Sequence, residues 1–228
     1  MGNAKKYVVG NWKSNKNSGE VEIWFKQFAS LFQESKNKFN NLEIVVCPPF
    51  IYLPLAKKLL ENYHLPIKIG AQDVSPFPNG AYTGAVSASQ ISQFAKYVII
   101  GHSERRSNFH EDDKQLSEKV KRAKEQNLGV IFCIQDENTS APQDVQIIAY
   151  EPVWAIGTGK TDTPENADKV AAIVKEKYPD TVLLYGGSVS SENVQSFLNT
   201  SHIDGVLPGG ASLDPQKFWE IVVNASKI

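Results

Sequence analysis

Short apolar segments alternate with amphipathic segments along the whole chain. Eight apolar segments have the length of a β-strand, at residues 7–12, 43–47, 67–71, 97–101, 129–134, 146–150, 181–185 and 205–208. They are nearly continuous apolar runs, as is typical of strands buried on both faces. Between them, apolar residues recur at helical spacing, as Trp24, Phe28 and Leu31 do. The alternation predicts an α/β fold with parallel strands, either a closed barrel or a doubly wound sheet.

Two later helices have clear start signals. Thr163-Pro164 and Asp214-Pro215 each place a side-chain oxygen that can cap a helix before a proline in its first turn. We therefore predict that helices begin at these two sites.

The connection between the fifth and sixth strands is unusually short. Only residues 135–145, QDENTSAPQDV, separate them, whereas a parallel crossover normally needs a dozen or more residues and usually contains a helix. The connector has no apolar stripe and contains Pro142, so no full helix is predicted. Either the chain returns across the barrel wall in an extended form, or one strand is misplaced. The polar groups that end both strands favour the first alternative.

Composition and charge narrow the classes of partner. The net charge of the 228 residues is -1, so nucleic acid and anionic membranes are poor candidate partners. No apolar run is long enough to span a bilayer, and the first residues lack the apolar stretch of a signal peptide. Cys47 and Cys133 provide neither a disulfide framework nor a metal-ligand spacing. We expect one cytoplasmic domain over residues 1–228.

Polar residues with catalytic potential follow several of the predicted strands. The carboxyl ends of parallel strands share one face, where Lys13, His102, Glu151 and two glycine-rich turns would meet. Such a set suits proton transfer on a small phosphorylated substrate. Taken singly, the same residues could be a surface lysine, a core histidine and a glutamate solvated at the rim.

Five motifs resemble one known family. In chain order they are GNWKSN, GHSERR, AYEPVWAIGTGKT, YGGSV and LPGGASL. Their types and order are similar to those of the triosephosphate isomerases along almost the whole chain. The resemblance implies a single (β/α)8 TIM barrel. The short connector departs from that pattern, so we expect the helix between strands five and six to be missing or strongly shortened. It also implies an isomerase of glycolysis and gluconeogenesis that interconverts dihydroxyacetone phosphate and D-glyceraldehyde 3-phosphate without a cofactor or metal.

The resemblance also assigns roles to the residues at the strand ends. Glu151 would move a proton between adjacent substrate carbons through an enediolate. His102, in its neutral form, would donate a hydrogen bond to the carbonyl oxygen; this family is itself a standard example of such a histidine. Lys13 would offset negative charge on the substrate. Asn11 and Glu104 would complete the catalytic set, with Glu104 positioning Lys13.

Further residues are assigned by resemblance to a phosphate site and a lid. The backbone amides expected to bind the phosphate are those of Gly157, Ser188, Gly209 and Gly210. Residues 155–160 resemble a lid that excludes water when it closes. The residues expected to form or clamp the lid are Trp154, Ile156, Tyr185 and Leu207.

The turn from Asp73 to Gly84 resembles the loop by which two subunits of the family associate. It would reach into a neighbouring subunit, where Thr83 would approach Asn11 and Lys13. The resemblance therefore implies a homodimer.

Three departures from the family pattern create doubts about the scaffold. Ala85 replaces a usual glutamate, so we expect Arg105 to lose a contact. Asp136 replaces a longer glutamate that would steady the lid tryptophan. Without the helix after strand five, we expect the barrel wall near Val130 and Phe132 to be poorly covered and prone to association.

Two other functions are compatible with parts of the sequence. The chain could be a degenerate sugar-phosphate-binding or scaffold protein, but the survival of all the site residues together argues against drift. It could also be a different phosphate-handling barrel isomerase, although the motifs match one family rather than only a fold.

Overall fold

The computed structural model of the protein describes residues 5–35, 39–153 and 162–228. Eight parallel strands pair in chain order and close into a barrel, which confirms the predicted α/β barrel over the doubly wound alternative. The strands are β1 (Lys6–Asn11), β2 (Leu42–Cys47), β3 (Lys68–Ala71), β4 (Tyr97–Ile100), β5 (Gly129–Ile134), β6 (Ile147–Tyr150), β7 (Val182–Tyr185) and β8 (Gly205–Val206).

Helices surround the barrel, and their starts follow the sequence signals. Thr163 accepts a hydrogen bond from the Asn166 amide, and Asp214 accepts one from the Lys217 amide, so both predicted caps are confirmed. No helix in the described ranges is long and apolar enough to cross a membrane. The helices are α1 (Ser18–Glu34), α2 (Leu53–Asn62), α3 (Ala88–Ile91), α4 (Ser103–Asn108), α5 (Asp113–Glu125), α6 (Pro164–Lys177), α7 (Val194–Leu198) and α8 (Pro215–Ala225).

Apolar side chains fill both sides of the barrel wall. An inner cluster contains Val9, Val45, Ile99 and Ile131, whereas their chain neighbours point outward into a larger cluster shared with the helices. Side chains of a strand alternate between its two faces, so a strand packed on both faces must be apolar at successive positions. This packing explains the continuous apolar runs of the sequence.

The helix between β5 and β6 is absent, as predicted. The two strands pair directly in parallel, with Ile131 opposite Ile147 and Ile134 opposite Tyr150. Residues 135–146 are all described and contain no helix. The strands are therefore correctly placed, and the chain crosses the wall in an irregular connector.

The expectation of a poorly covered wall near Val130 and Phe132 was wrong. Val130 is 5% exposed and Phe132 is 1% exposed. The connector itself contributes Ala141 and Val145, both buried in the same apolar cluster as these strand residues. A few small apolar side chains thus cover the wall in place of a helix.

Polar contacts from α5 and from the end of α6 hold the connector in place. Tyr178 brackets Ala141: its hydroxyl accepts from the Ala141 amide at 3.0 Å and donates to the Ala141 carbonyl at 2.9 Å. Lys124 donates to the Asp144 carbonyl at 2.6 Å. Because these contacts join residues far apart in the chain, the sequence pattern alone did not reveal them.

Replacing Tyr178 by phenylalanine should destabilise the fold by about 1–3 kcal/mol. The change removes one hydroxyl and leaves the buried Ala141 amide and carbonyl without their partner, which costs free energy of that order. Urea unfolding followed by circular dichroism measures the effect. Tyr63→Phe is a matched control, and an equal midpoint for both variants would contradict the proposed bracket.

Candidate functional site

The predicted residues collect around one cavity at the carboxyl ends of the strands. The cavity has a volume of about 410 Å³. The predicted residues that line it are Lys13, His102, Ser188, Leu207, Gly209 and Gly210. Glu151 lies behind this lining, next to His102 and beneath Gly186. The barrel thus gathers these side chains and turns from the ends of five strands into one place.

Lys13 is held in a strained backbone conformation. Its φ of 52° is in the left-handed region, which costs a residue with a side chain about 1–3 kcal/mol. The Lys13 amide donates to Asn11 Oδ1 at 3.0 Å, and the Lys13 carbonyl accepts from Gln72 Nε2 at 2.9 Å. The Lys13 ammonium lies 2.6 Å from Glu104 Oε1. These contacts fix the cation at the edge of the cavity.

His102 is buried and caps the amino terminus of α4. Its Nδ1 accepts a hydrogen bond from the Glu104 amide at 3.2 Å. Because Nδ1 acts as the acceptor, the ring proton is on Nε2. The Nε2 atom is therefore the donor that His102 can offer to a ligand in the cavity.

Glu151 follows β6 directly and is only 1% exposed. Its Oε2 accepts a hydrogen bond from the Ser103 amide at 2.8 Å, at the positive end of α4. Its Oε1 lies 2.9 Å from His102 Nε2, but at an angle outside hydrogen-bond geometry. The carboxylate is thus anchored through one oxygen while the other adjoins the histidine.

The Cys133 thiol lies beside this carboxylate. Burial raises the pKa of Cys133 well above its ordinary value, and the negative charge of Glu151 raises it further. The thiol therefore stays protonated and adds no second negative charge beside Glu151.

The glycine-rich turns after β7 and β8 leave room for a ligand. A Cβ atom added to Gly210 would meet no atom of the described residues within 4 Å, and one added to Gly209 would come 3.4 Å from Lys13 Cε. Packing within the protein therefore does not exclude a side chain at Gly210. Bare backbone amides beside a lysine suit an anion. Gly157, the fourth predicted phosphate ligand, lies outside the described residues.

The two described clamp residues lie at the carboxyl ends of neighbouring strands, Tyr185 as the last residue of β7 and Leu207 directly after β8. Tyr185 is fully buried, stacks on Phe197 with ring centroids 3.9 Å apart, and has a pKa raised by burial. The Leu207 amide donates to the Tyr185 carbonyl at 2.8 Å. Trp154, Ile156 and the lid residues 155–160 lie outside the described residues, so their assignment stays a prediction.

Asp136 accepts hydrogen bonds from residues two and three positions further along the chain. Its Oδ1 accepts from the Thr139 hydroxyl at 2.9 Å and from the amides of Thr139 and Asn138. The Thr139 hydroxyl is the main cause of a lowered pKa at Asp136, with the two amides adding to it. The carboxylate thus stabilises the first turn of the connector; its expected contact with Trp154 falls outside the described residues.

The loss of a glutamate at Ala85 does not leave Arg105 without partners. Arg105 pairs with Asp73 at 2.9 Å and with Glu111 at 2.6 Å. Lys119 also contacts both carboxylates, each at 2.5 Å. Two cations and two carboxylates thus form a compact, mostly buried group. The sequence pattern did not predict this group, because its residues come from separate segments of the chain.

Two side chains that shape the cavity had no role assigned from the sequence. Gln72 Nε2 donates to the carbonyls of Lys13 and Cys47, joining the ends of β1 and β2. Asn193 Nδ2 donates to the Ser188 carbonyl at 3.0 Å and shapes the turn after β7. Gln72 could have been predicted, because it directly follows a strand. The sequence contains no comparable signal for Asn193.

Comparison with known proteins agrees with the resemblance seen in the motifs. The sequence model of the triosephosphate isomerase family matches residues 6–225. The triosephosphate isomerase of Mesomycoplasma hyopneumoniae strain 7448 is 40% identical over 244 aligned positions, covering 97% of this chain and all of the relative. That of Dictyoglomus turgidum is 40% identical over 251 positions, covering 96% of this chain and 98% of the relative. Both alignments are longer than the 228 residues of this chain, so each contains gaps. The chain therefore belongs to the triosephosphate isomerase family.

Proposed function

We propose that this chain interconverts dihydroxyacetone phosphate and D-glyceraldehyde 3-phosphate, as an enzyme of glycolysis and gluconeogenesis. The observation that carries the proposal is a buried carboxylate and an imidazole Nε2 that lie 2.9 Å apart beside one cavity of about 410 Å³. The first group can accept a proton from carbon while the second polarises the adjacent carbonyl.

The proposed reaction is a pair of proton transfers through Glu151. The carboxylate removes a proton from carbon 1 of dihydroxyacetone phosphate, and the electron pair moves into a double bond to carbon 2. The carbonyl oxygen gains negative charge, which His102 Nε2 and the Lys13 ammonium stabilise. Glu151 returns a proton to carbon 2 while the hydroxyl proton moves from oxygen 1 to oxygen 2. Side chains suffice for these steps, so the proposal includes no cofactor or metal.

Glu151 must turn before it can reach a bound substrate. In the described conformation its carboxylate is behind the cavity lining and nearly inaccessible. The hydrogen bond from the Ser103 amide would break in the movement, whereas Oε1 has no hydrogen bond to His102 that would oppose it. We infer that substrate binding draws the carboxylate toward the cavity.

Phosphate binding is assigned to the turns after β7 and β8. Ser188, Gly209 and Gly210 line the same cavity as His102, and Lys13 adds a nearby positive charge. Gly157 in the lid would add a fourth amide. A phosphate held at this end places the carbonyl group of a three-carbon chain toward His102.

A coupled assay of the purified full chain tests the proposed activity in both directions. Dihydroxyacetone phosphate should be converted to the aldehyde, and the aldehyde back to the ketone, without added metal or cofactor. Binding of either compound without turnover would favour the degenerate binding protein instead.

We also propose that two copies of the chain associate through the loop from Asp73 to Gly84. Phe77 and Tyr82 stack at its tip with ring centroids 4.3 Å apart, yet they are 48% and 40% exposed. Internal backbone hydrogen bonds, such as that from the Tyr82 amide to the Gly80 carbonyl, order the tip. An ordered, exposed aromatic pair is typical of an association surface.

The base of this loop is firmly anchored. Asp73 is bound by Lys119 and Arg105, and Arg122 Nε donates to the Pro76 carbonyl at 3.4 Å. A loop fixed in this way can present its tip to a second subunit with little further loss of conformational entropy.

Replacing Tyr82 by aspartate should convert the dimer to monomers. The change places a charge on the proposed interface, where it would have to be desolvated. Sedimentation velocity should show roughly twice the chain mass for the wild type and the chain mass for the variant. Ile23→Asp, on the exposed face of α1, should remain dimeric. A fully active monomeric wild type would contradict the dimer.

Location in the cytoplasm and a single domain over residues 1–228 belong to the same proposal. Two free, buried cysteine thiols, Cys47 and Cys133, and a family match from residue 6 to residue 225 support it.

A further inference from the structure

Arg106 joins the ends of two neighbouring strands beside the candidate site. It lies on α4, and only 14% of its side chain is exposed. Its Nε donates to the Gly101 carbonyl at 2.8 Å, and its Nη2 donates to the Cys133 carbonyl at 3.3 Å. Gly101 follows β4 directly and Cys133 belongs to β5, so one planar guanidinium bridges both strands.

The two bridged carbonyls belong to residues that are linked to His102 and to Glu151. Gly101 immediately precedes His102, and its φ of 76° sets the turn that directs the histidine. Ile134, the residue after Cys133, accepts the Glu151 amide hydrogen bond at 2.8 Å. The bridge therefore fixes, through one peptide unit on each side, how far His102 lies from Glu151.

Within the described residues, the other contacts of Arg106 explain its burial less well than the two carbonyl contacts do. Its ion pair with Asp113 is 3.3 Å long, and Asp113 is 80% exposed, so solvent screens that pair. Its guanidinium lies 5.6 Å from the centre of the Phe132 ring. Phe132 belongs to β5, the strand that is not followed by a helix. An added Cβ at Gly101 would lie 3.0 Å from Arg106 Nη2, so glycine permits this close approach.

We propose that Arg106 is a positioning residue that sets the separation of His102 and Glu151 across the β4–β5 seam. The inference rests on the catalytic roles proposed for those two residues. The connector after β5 is short, so the guanidinium supplies at this seam a rigidity that a packed helix would otherwise provide. The proposed phosphate ligands follow β7 and β8, away from this seam in the strand order, so phosphate binding should not depend on Arg106.

Replacing Arg106 by alanine should lower kcat by about 10- to 100-fold and change KM by less than about twofold, because a small misplacement of reacting groups costs roughly that much. Guanidinium chloride at roughly 50 mM, far below denaturing concentrations, should restore part of kcat. Arg106→Lys keeps the charge but lacks the two-pronged donor, so its kcat should lie between those of the alanine variant and the wild type.

Asp113→Ala is the matched control. It removes the exposed ion pair and leaves both carbonyl contacts intact, so its kcat should equal that of the wild type. If the alanine variant fails to fold, as judged by circular dichroism, the lysine variant decides the matter. A wild-type kcat in the alanine variant, or in the lysine variant if the alanine variant does not fold, would overturn the proposal. A rise in KM as large as the fall in kcat, with no recovery of kcat by guanidinium, would overturn it too. An inactive wild type, or an active Glu151→Gln variant, would instead refute the proposed function.

Discussion

Replacing Glu151 by glutamine should lower kcat by roughly 10²- to 10⁴-fold, the usual contribution of a positioned general base. The amide has nearly the shape of the carboxylate but cannot accept a proton from carbon. KM should change much less, because the proposed phosphate ligands, Ser188, Gly209 and Gly210, are left intact. A coupled isomerase assay measures both constants.

Glu61→Gln is a suitable control for this variant. Glu61 is an exposed residue of α2, and its ion pair with Lys57 is long at 3.8 Å. The same chemical change there should leave kcat and KM unaltered. Comparable activity of the two variants would show that Glu151 is not the base.

Replacing Lys13 by methionine should reduce kcat/KM by about 10³-fold or more. Methionine preserves the length and backbone preference of lysine, so the strain at φ 52° is unchanged while the cation is lost. Loss of one group that stabilises developing negative charge typically costs about 10²- to 10³-fold in kcat, and weaker phosphate binding adds to the loss. Glu104 would also lose its partner at the mouth.

Lys26→Met, on the exposed side of α1, is the corresponding control and should behave as the wild type. Steady-state kinetics at low and high ionic strength would separate a specific role from general attraction of an anionic substrate, which salt screens. A loss in Lys13→Met that disappears at high salt would contradict the specific role.

The parts of the fold that depend on local pattern were predictable. Strand positions followed from apolar runs, and the caps at Thr163 and Asp214 followed from short motifs. The missing helix was predictable from spacing alone, because residues 135–145 are too few and too polar to form one that packs on the barrel. Parallel pairing then gathered Lys13, His102 and Glu151 at one end of the barrel.

Contacts between distant segments were not predictable. The cover over Phe132 depends on Ala141 and on Tyr178, two residues that meet only after the barrel closes. The second carboxylate bound to Arg105 and the Ser103 amide on Glu151 likewise depend on tertiary placement. Sequence patterns indicate which face of a helix or strand is buried. They do not indicate which residue of another segment packs against that face.

Proton movement through Glu151 can be followed by running the isomerisation in deuterium oxide and recording proton nuclear magnetic resonance spectra. A carboxylate that takes a proton from the substrate can exchange it with solvent before returning it. The wild-type enzyme should therefore place deuterium on carbon 2 of D-glyceraldehyde 3-phosphate. Glu151→Gln should incorporate none above the rate without enzyme, whereas incorporation at the wild-type rate by that variant would contradict Glu151 as the base.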